Sequence, residues 1–345
     1  MGKDSKPKLD SYLCAFSSNS RELYLSDIYR VLSLPDDSII QFRYKKKYVD
    51  NDIIESLDSI ENKDVLLFFT NSVPNYGISD SYPIRKAKVM KVEYSEQTQL
   101  VHLFMSLTNF IDIDFSGSKK LENFPNDKYL TRIKLESPSN DNWTNKILQV
   151  QNFLKEVSFF YLKEVRSSRG TKIQIKHSSD LKRSFYKLKQ GAGYLLDVSL
   201  ANPNENDSMI LFESSADDVS FNTTNPLPVN AHLDDRLIPL YLKSLNVSSE
   251  HSFISIAPTD DMSDADSARP AYRCNIEVEK NISTWSAILF GLSSSLAIIS
   301  VWGIKVRSSS LDEFNINFDV DFMLYLYAVV LLVCSAYLFY KFNKK

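Results

Sequence analysis

The sequence predicts a mainly β, α+β soluble region in two domains, followed by a C-terminal two-helix transmembrane hairpin. Three observations predict it. Short alternating or wholly apolar runs recur along residues 39–107 and again along 170–280, separated by Asn, Asp, Ser and Pro clusters, the pattern of strands and turns. Helical spacing before residue 281 is confined to a few stretches. Two long apolar segments then close the chain, Ile282 to Ile304 and Phe322 to Tyr340. The second rises about 28 Å as a helix, close to the hydrocarbon thickness of a bilayer.

The first domain, 1–115, opens with a helix in which Leu23, Ile28, Val31 and Leu32 share one face, behind a cap at Ser20 and stopped by Pro35. In the next segment Ile40, Phe42 and Tyr44 alternate with Gln41, Arg43 and Lys45, which marks a strand with one wet face. "DVLLFFT" is a buried strand. Lys86 to Tyr94 and Leu100 to Leu107 form a hairpin about the turn Ser95 to Thr98. Together these elements predict a small barrel-like or α+β domain. The polar stretch 116–142 reads as a linker. Over 143–166, Ile147, Val150, Leu154, Val157, Phe160 and Tyr161 recur at three and four residues and predict an amphipathic connecting helix. Residues 167–281 hold six β-rich runs spaced for an antiparallel β-sandwich, and 282–345 hold the hairpin.

Basic residues near the span ends set its orientation. Arg273, Lys280, Lys341, Lys344 and Lys345 lie on the side shared with the soluble region, against Lys305 and Arg307 in the connecting loop. The positive-inside rule then places soluble domains and C-terminus in the cytosol. The N-terminal residues lack the apolar run of a secretory signal. Four Asn-x-Ser/Thr sequons, at Asn142, Asn222, Asn246 and Asn281, are what chance supplies in a chain this rich in those residues.

Composition excludes several function classes. A formal charge of −3 gives no global field for nucleic acid, and no duplex DNA partner is expected. Eight glycines in 345 residues count against glycine-rich phosphate loops. Cys14, Cys274 and Cys334 are too scattered for a disulfide framework or a metal knuckle, which fits a reducing compartment. The four histidines lack the spacing of a metal site. Gly191 and Gly193 stand where a dinucleotide loop would need a third glycine at Leu196, so they mark a turn. Gln174 and Lys176 have the spacing of a metal-dependent nuclease strand, but the helix predicted before them leaves no place for its upstream acid. No catalytic residue, metal or cofactor is expected, and the chain is not expected to be an enzyme.

The sharpest local feature is "FRYKKKYV". Basic residues interleaved with aromatics are what phosphate contact plus base stacking requires, so Arg43, Tyr44, Lys45 and Lys47 are candidate ligand-binding residues. Arg85 and Lys86 extend the patch if the strands pair. The expected ligand is anionic, such as a nucleotide; the plain alternative is a strand edge guarded by lysines. In the first span Ser286, Ser293, Ala297 and Ser300 fall on one face, a seam for close helix packing or for self-association into a narrow pore.

These elements predict a membrane-anchored cytosolic sensor or effector that binds a ligand or partner through its β-rich domains and acts on the lipid bilayer through its hairpin. The element order resembles the two-span effectors of prokaryotic anti-phage signalling systems, some of which couple a small β-barrel to a helix pair, although there the spans come first. That resemblance implies membrane disruption in antiviral defence. The alternative is a passive membrane-tethered scaffold that presents the sandwich to a protein partner.

Overall fold

The computed structural model describes residues 10–72, 79–114, 128–154, 158–203, 208–214, 219–229, 233–242, 251–259, 272–279 and 329. The protein is mostly β, with several sheets and few helices. The chain divides into two compact units. One comprises Met1–Lys187, Gly193–Tyr241 and His251–Glu277; the other comprises Leu188–Ala192, Leu242–Glu250 and Val278–Lys345.

The first sheet is built from β1 (Asp10–Ser18), β2 (Ile39–Lys45), β3 (Asp64–Ser72), β4 (Ser79–Ser95), β5 (Leu100–Asp112), β6 (Leu130–Leu135) and the short β7 (Ser139–Asn140). Its order is β2-β5-β4-β3-β1-β6, with β7 on β5. Val65 to Phe69 of β3 are all buried, because this central strand is covered on both faces. One face joins Cys14, Phe16, Leu66, Phe68, Ile111, Ile113, Ile133 and Leu135 in a core, where Phe16 and Phe68 stack at 4.9 Å. The helix α1 (Glu22–Ser33) contributes Leu25, Ile28, Tyr29, Val31 and Leu32 to the buried interior. Leu23 instead lies on the wet side, 48% exposed, and Ser20 does not cap the helix but meets Ser18.

The sheet's two edge strands approach each other beyond β2. Val49 bridges Leu130 in parallel, the Tyr129 N–H donates to the Tyr48 carbonyl at 2.7 Å, and the Asp50 N–H donates to the Leu130 carbonyl at 3.0 Å. Strand β4 starts earlier than its apolar pattern predicts. It takes in Pro83 at a register shift against Leu67 and Phe68, an irregularity at which a residue without an N–H is tolerated.

Two further expectations are corrected. The stretch read as a linker contains β6, whose Leu130, Ile133 and Leu135 are buried while Arg132 and Lys134 face water. A polar-rich strand of six residues gives too little apolar signal to stand out from its surroundings. The long helix expected over 143–166 is a short one, α2 (Trp143–Val150), capped by the Asn142 side chain accepting from the Asn145 N–H at 2.9 Å. A single 3-10 turn over Gln151–Phe153 follows, and then the strand β8 (Phe159–Ser167). Phe159, Phe160, Tyr161 and Val165 favour extended backbone, and pairing along β11 (Gly193–Ala201) outweighs the helical spacing.

Strand β8 belongs to a four-stranded sheet of order β13-β15-β11-β8, with β13 (Val219–Phe221) and β15 (Asp234–Leu242). A six-stranded sheet runs β14-β12-β16-β17-β10-β9. Its members are β9 (Ile175–His177), β10 (Ser184–Lys189), β12 (Met209–Ser214), β14 (Leu227–Pro228), β16 (His251–Thr259) and β17 (Tyr272–Glu279). Phe212 of β12 meets Phe221 of β13 at 5.7 Å, one contact between these sheets. In the second unit the Gly191 N–H donates to the Leu242 carbonyl; Gly191 has φ of 73°, which a residue without Cβ adopts readily.

Among the described residues no helix is long and apolar enough to cross a membrane. The expected spans, 282–304 and 322–340, and with them Ser286, Ser293, Ala297 and Ser300, lie outside the described residues apart from the helical Val329.

Phe68 is fully buried within the first core, stacked on Phe16. Phe68→Ala should cost about 3–5 kcal/mol, read as a lowered urea midpoint.

Candidate anion-binding ridge

Strand β2 alternates as its sequence demands, with Ile40, Phe42 and Tyr44 buried and Arg43 and Lys45 exposed. The chain then turns through a 3-10 helix, Lys46–Tyr48, so Lys46 and Lys47 are exposed too. The Lys46 N–H donates to the Gln99 carbonyl at 2.8 Å, and the Lys128 ammonium donates to the carbonyls of Lys47 and Val49 at 3.0 and 3.2 Å. Arg43, Lys45, Lys46 and Lys47 thus form a ridge whose backbone is held on both sides. Among the described residues none of the four makes an ion pair. By contrast Lys86, Lys91, Lys146, Lys163, Lys172 and Lys182 each face a carboxylate.

The aromatic half of the expected motif is placed differently. Tyr44 is buried and its hydroxyl donates to the Phe16 carbonyl at 3.0 Å. Burial foremost, with Asp27 nearby, pushes its phenol up. Lys46 lies over the Tyr94 ring at 5.6 Å and Lys47 over the Tyr48 ring at 4.8 Å, while Tyr48 packs edge-on with Tyr129 at 5.5 Å.

Arg85 and Lys86 are not brought to the ridge. Across β5, Arg43 stands opposite His102 while Arg85 stands opposite Phe110, eight residues further along, or roughly 27 Å. Arg85 is 0% exposed and acts as a structural cation. Its guanidinium donates to the carbonyls of Thr108 at 2.5 Å, Val31 at 2.8 Å and Leu34 at 2.6 Å, and pairs with Asp36 at 2.5 Å. Phe110 lies 4.4 Å and Tyr161 5.6 Å from it. Lys86 is paired with Asp64 at 2.7 Å. The two residues are expected in the patch on condition that their strand pairs with β2; in space β5 stands between β2 and β4.

Sequence reading missed Asp27 and Lys128. Asp27, on the partly covered side of α1, is pushed up to about 7 by burial, against the opposing pull of Arg30 and Arg43. It is a carboxylate within electrostatic reach of Arg43, which leaves Lys45, Lys46 and Lys47 as the freest charges of the ridge. Its position in a helix of mixed character carries no signal, and Lys128 falls in the stretch read as linker. On the adjoining strands the Glu93 carboxyl is held low, chiefly by the hydrogen bond from Lys182 and also by that from Lys91. Gln41 Nε2 and His102 Nδ1 share a hydrogen bond of 2.7 Å.

Glu164 stands on β8, where a helix was expected, so an acid does precede Gln174 and Lys176 on a strand. It belongs to a different sheet from β9, however, and is engaged by Arg166 and Lys172. Among the described residues no three His, Cys, Asp or Glu side chains are grouped to hold a metal ion.

No family model matches the sequence, and no curated protein matches it. Solved structures overlap it only in part. Domains 4 and 5 of the S-layer protein SbsC align over 31% of this chain and 50% of theirs, at 10% identity and a TM-score of 0.19. WR4, a C. elegans MSP family member, aligns over 27% of this chain and 92% of its own, at 10% identity and 0.19. The N-terminal domain of a Mycobacterium avium complex Lon protease aligns over 41% and 69%, at 12% identity and 0.21. The chain spans half the length of the S-layer fragment, and overlaps at these TM-scores carry no argument about function.

Arg85→Met should destabilise the chain by about 3–5 kcal/mol, since it leaves three carbonyls and Asp36 without their donor, measurable as a lowered urea midpoint. Asp27 sets a pH dependence. An unfolded aspartate titrates near about 4, whereas Asp27 keeps its proton to about 7. Between those values the folded chain binds more protons than the unfolded one, so its stability should fall as pH rises from about 4 to about 7. Asp27→Asn should flatten that fall in a urea midpoint series; an unchanged slope would show that another group sets it.

Proposed function

We propose that the chain is a membrane-attached binding protein of the effector type: its β-rich body takes up an anion on the ridge, and its hairpin acts on the bilayer. One observation supports this above the others. Four adjacent cations, Arg43, Lys45, Lys46 and Lys47, stand in water without an ion-pair partner among the described residues, on backbone fixed by Tyr44, Gln99 and Lys128. A fixed scaffold under unneutralised charge holds an anion with little reordering. The β-rich body fits the proposed barrel-like N-terminal domain, given the approach of Val49 to Leu130, and a sandwich after it.

Membrane attachment draws on the two apolar segments and the lysines that follow them. The serine stripe distinguishes an acting hairpin from a tether. Leucine at Ser286, Ser293 and Ser300 would fill the face that lets helices approach and remove its hydroxyls.

The test is dye leakage from vesicles carrying the full chain. The parent should leak, and the triple leucine variant should remain in the membrane fraction but lose leakage. Undiminished leakage from that variant would leave a tethered scaffold as the function.

A further inference from the structure

Building on the anion-binding reading of the ridge, we infer that its partner is an anionic lipid surface rather than a nucleic acid. Recognition of single-stranded nucleic acid joins phosphate contacts to aromatic faces on which bases stack. The ridge has the cations without the platform. Tyr44, the ring at its centre, points into the core and is hydrogen-bonded to Phe16. Tyr94 and Tyr48 each carry one of the ridge's own ammonium groups, from Lys46 at 5.6 Å and Lys47 at 4.8 Å, and Tyr48 is further packed on Tyr129. On the faces these ammonium groups cover, a base would have to displace them before it could stack.

The cations themselves favour a surface over a pocketed phosphate. Three of the four are lysines, flexible point charges without the fork that grips one phosphate in two places. They project from the end of a strand and a single turn of 3-10 helix and are all exposed, an arrangement that lets several headgroups be met at once. Near an anionic bilayer each basic residue that reaches the surface strengthens partitioning about fivefold at ordinary salt, and the gain fades within a Debye length of about 8 Å. Lys45, Lys46 and Lys47 are consecutive in the chain, so their Cα atoms lie within about 8 Å of one another.

The experiment uses the full chain in lipid nanodiscs and reads each lysine by reductive methylation and mass spectrometry. Phosphatidylserine is supplied both within the disc and as separate vesicles, so that either surface is available to the ridge; the reference is phosphatidylcholine alone. Lys45, Lys46 and Lys47 should label several-fold more slowly with phosphatidylserine, and the protection should vanish in high salt. Lys88 and Lys176, exposed on β4 and β9, should label alike in both lipids. Equal labelling of the ridge in both lipids overturns the inference and leaves the membrane reading intact. Protection by added oligothymidylate in neutral discs, with none from phosphatidylserine, overturns it in favour of a nucleic acid. A chain that does not enter discs at all overturns the membrane reading and this inference together.

Discussion

The buried guanidinium of Arg85 is the interaction on which the rest of the described unit depends. It sits on β4, yet its donors end on the last carbonyls of α1, on Thr108 of β5 and on Asp36 in the connection to β2. The helix C-terminus would otherwise carry unsatisfied carbonyls into a buried site, where each costs about 1–3 kcal/mol. One planar cation answers several of them at once, which a lysine with a single ammonium could not do in this geometry. Phe110 and Tyr161 flank it, so the same charge also ties β5 to β8, the strand that begins the second set of sheets. A fully buried charge this well bonded is costly to form and far costlier to leave half-made.

With α1 and β5 fixed in this way, β2 has one register. Ile39 to Lys45 pair with Ser106 to Leu100, and alternation then sends Phe42 and Tyr44 inward and Arg43 and Lys45 outward. A slip of one residue would bury the charges and expose the rings. Tyr44 secures the choice with its bond to Phe16 on β1, across the interior. The ridge is therefore a consequence of the core. Its exposure follows from the pleat, and its position from the turn that Gln99 and Lys128 hold.

How much of this was legible depends on whether a signal was local. The alternation of β2, the buried run of β3 and the hairpin of β4 and β5 are each written locally, and all three form, with β4 beginning earlier and β5 ending later than read. The insertion of β5 between β2 and β4 is a property of topology, so a patch joining Arg43 to Arg85 looked plausible and is absent. Arg85 itself could not be told from a surface arginine, since its neighbours Pro83, Ile84 and Ala87 fit a strand equally well with either face buried. Helical spacing over Ile147 to Tyr161 misled because a short apolar run of four residues matches both periods, and only the partner strand β11 decides. Strand β6 was hidden by its lysine and arginine, which are there because one of its faces is wet.

The lysines of the ridge have a competing explanation, that they guard a sheet edge against pairing with another chain. That explanation needs an edge to guard. At one end of β2 the Ile39 N–H is taken by the Ser184 hydroxyl, at 3.1 Å, and the Asp37 carbonyl by His177, at 2.8 Å. Just beyond its other end, Tyr48 and Asp50 are bonded to Tyr129 and Leu130. Within β2 itself these contacts occupy only the Ile39 N–H, so the rest of the strand is an edge that Arg43 and Lys45 can guard. Lys46 and Lys47, however, lie past the strand on the 3-10 turn, where no ladder would form. Edge protection accounts for Arg43 and Lys45, and it leaves Lys46 and Lys47, past the end of the strand, to the proposed anion contact.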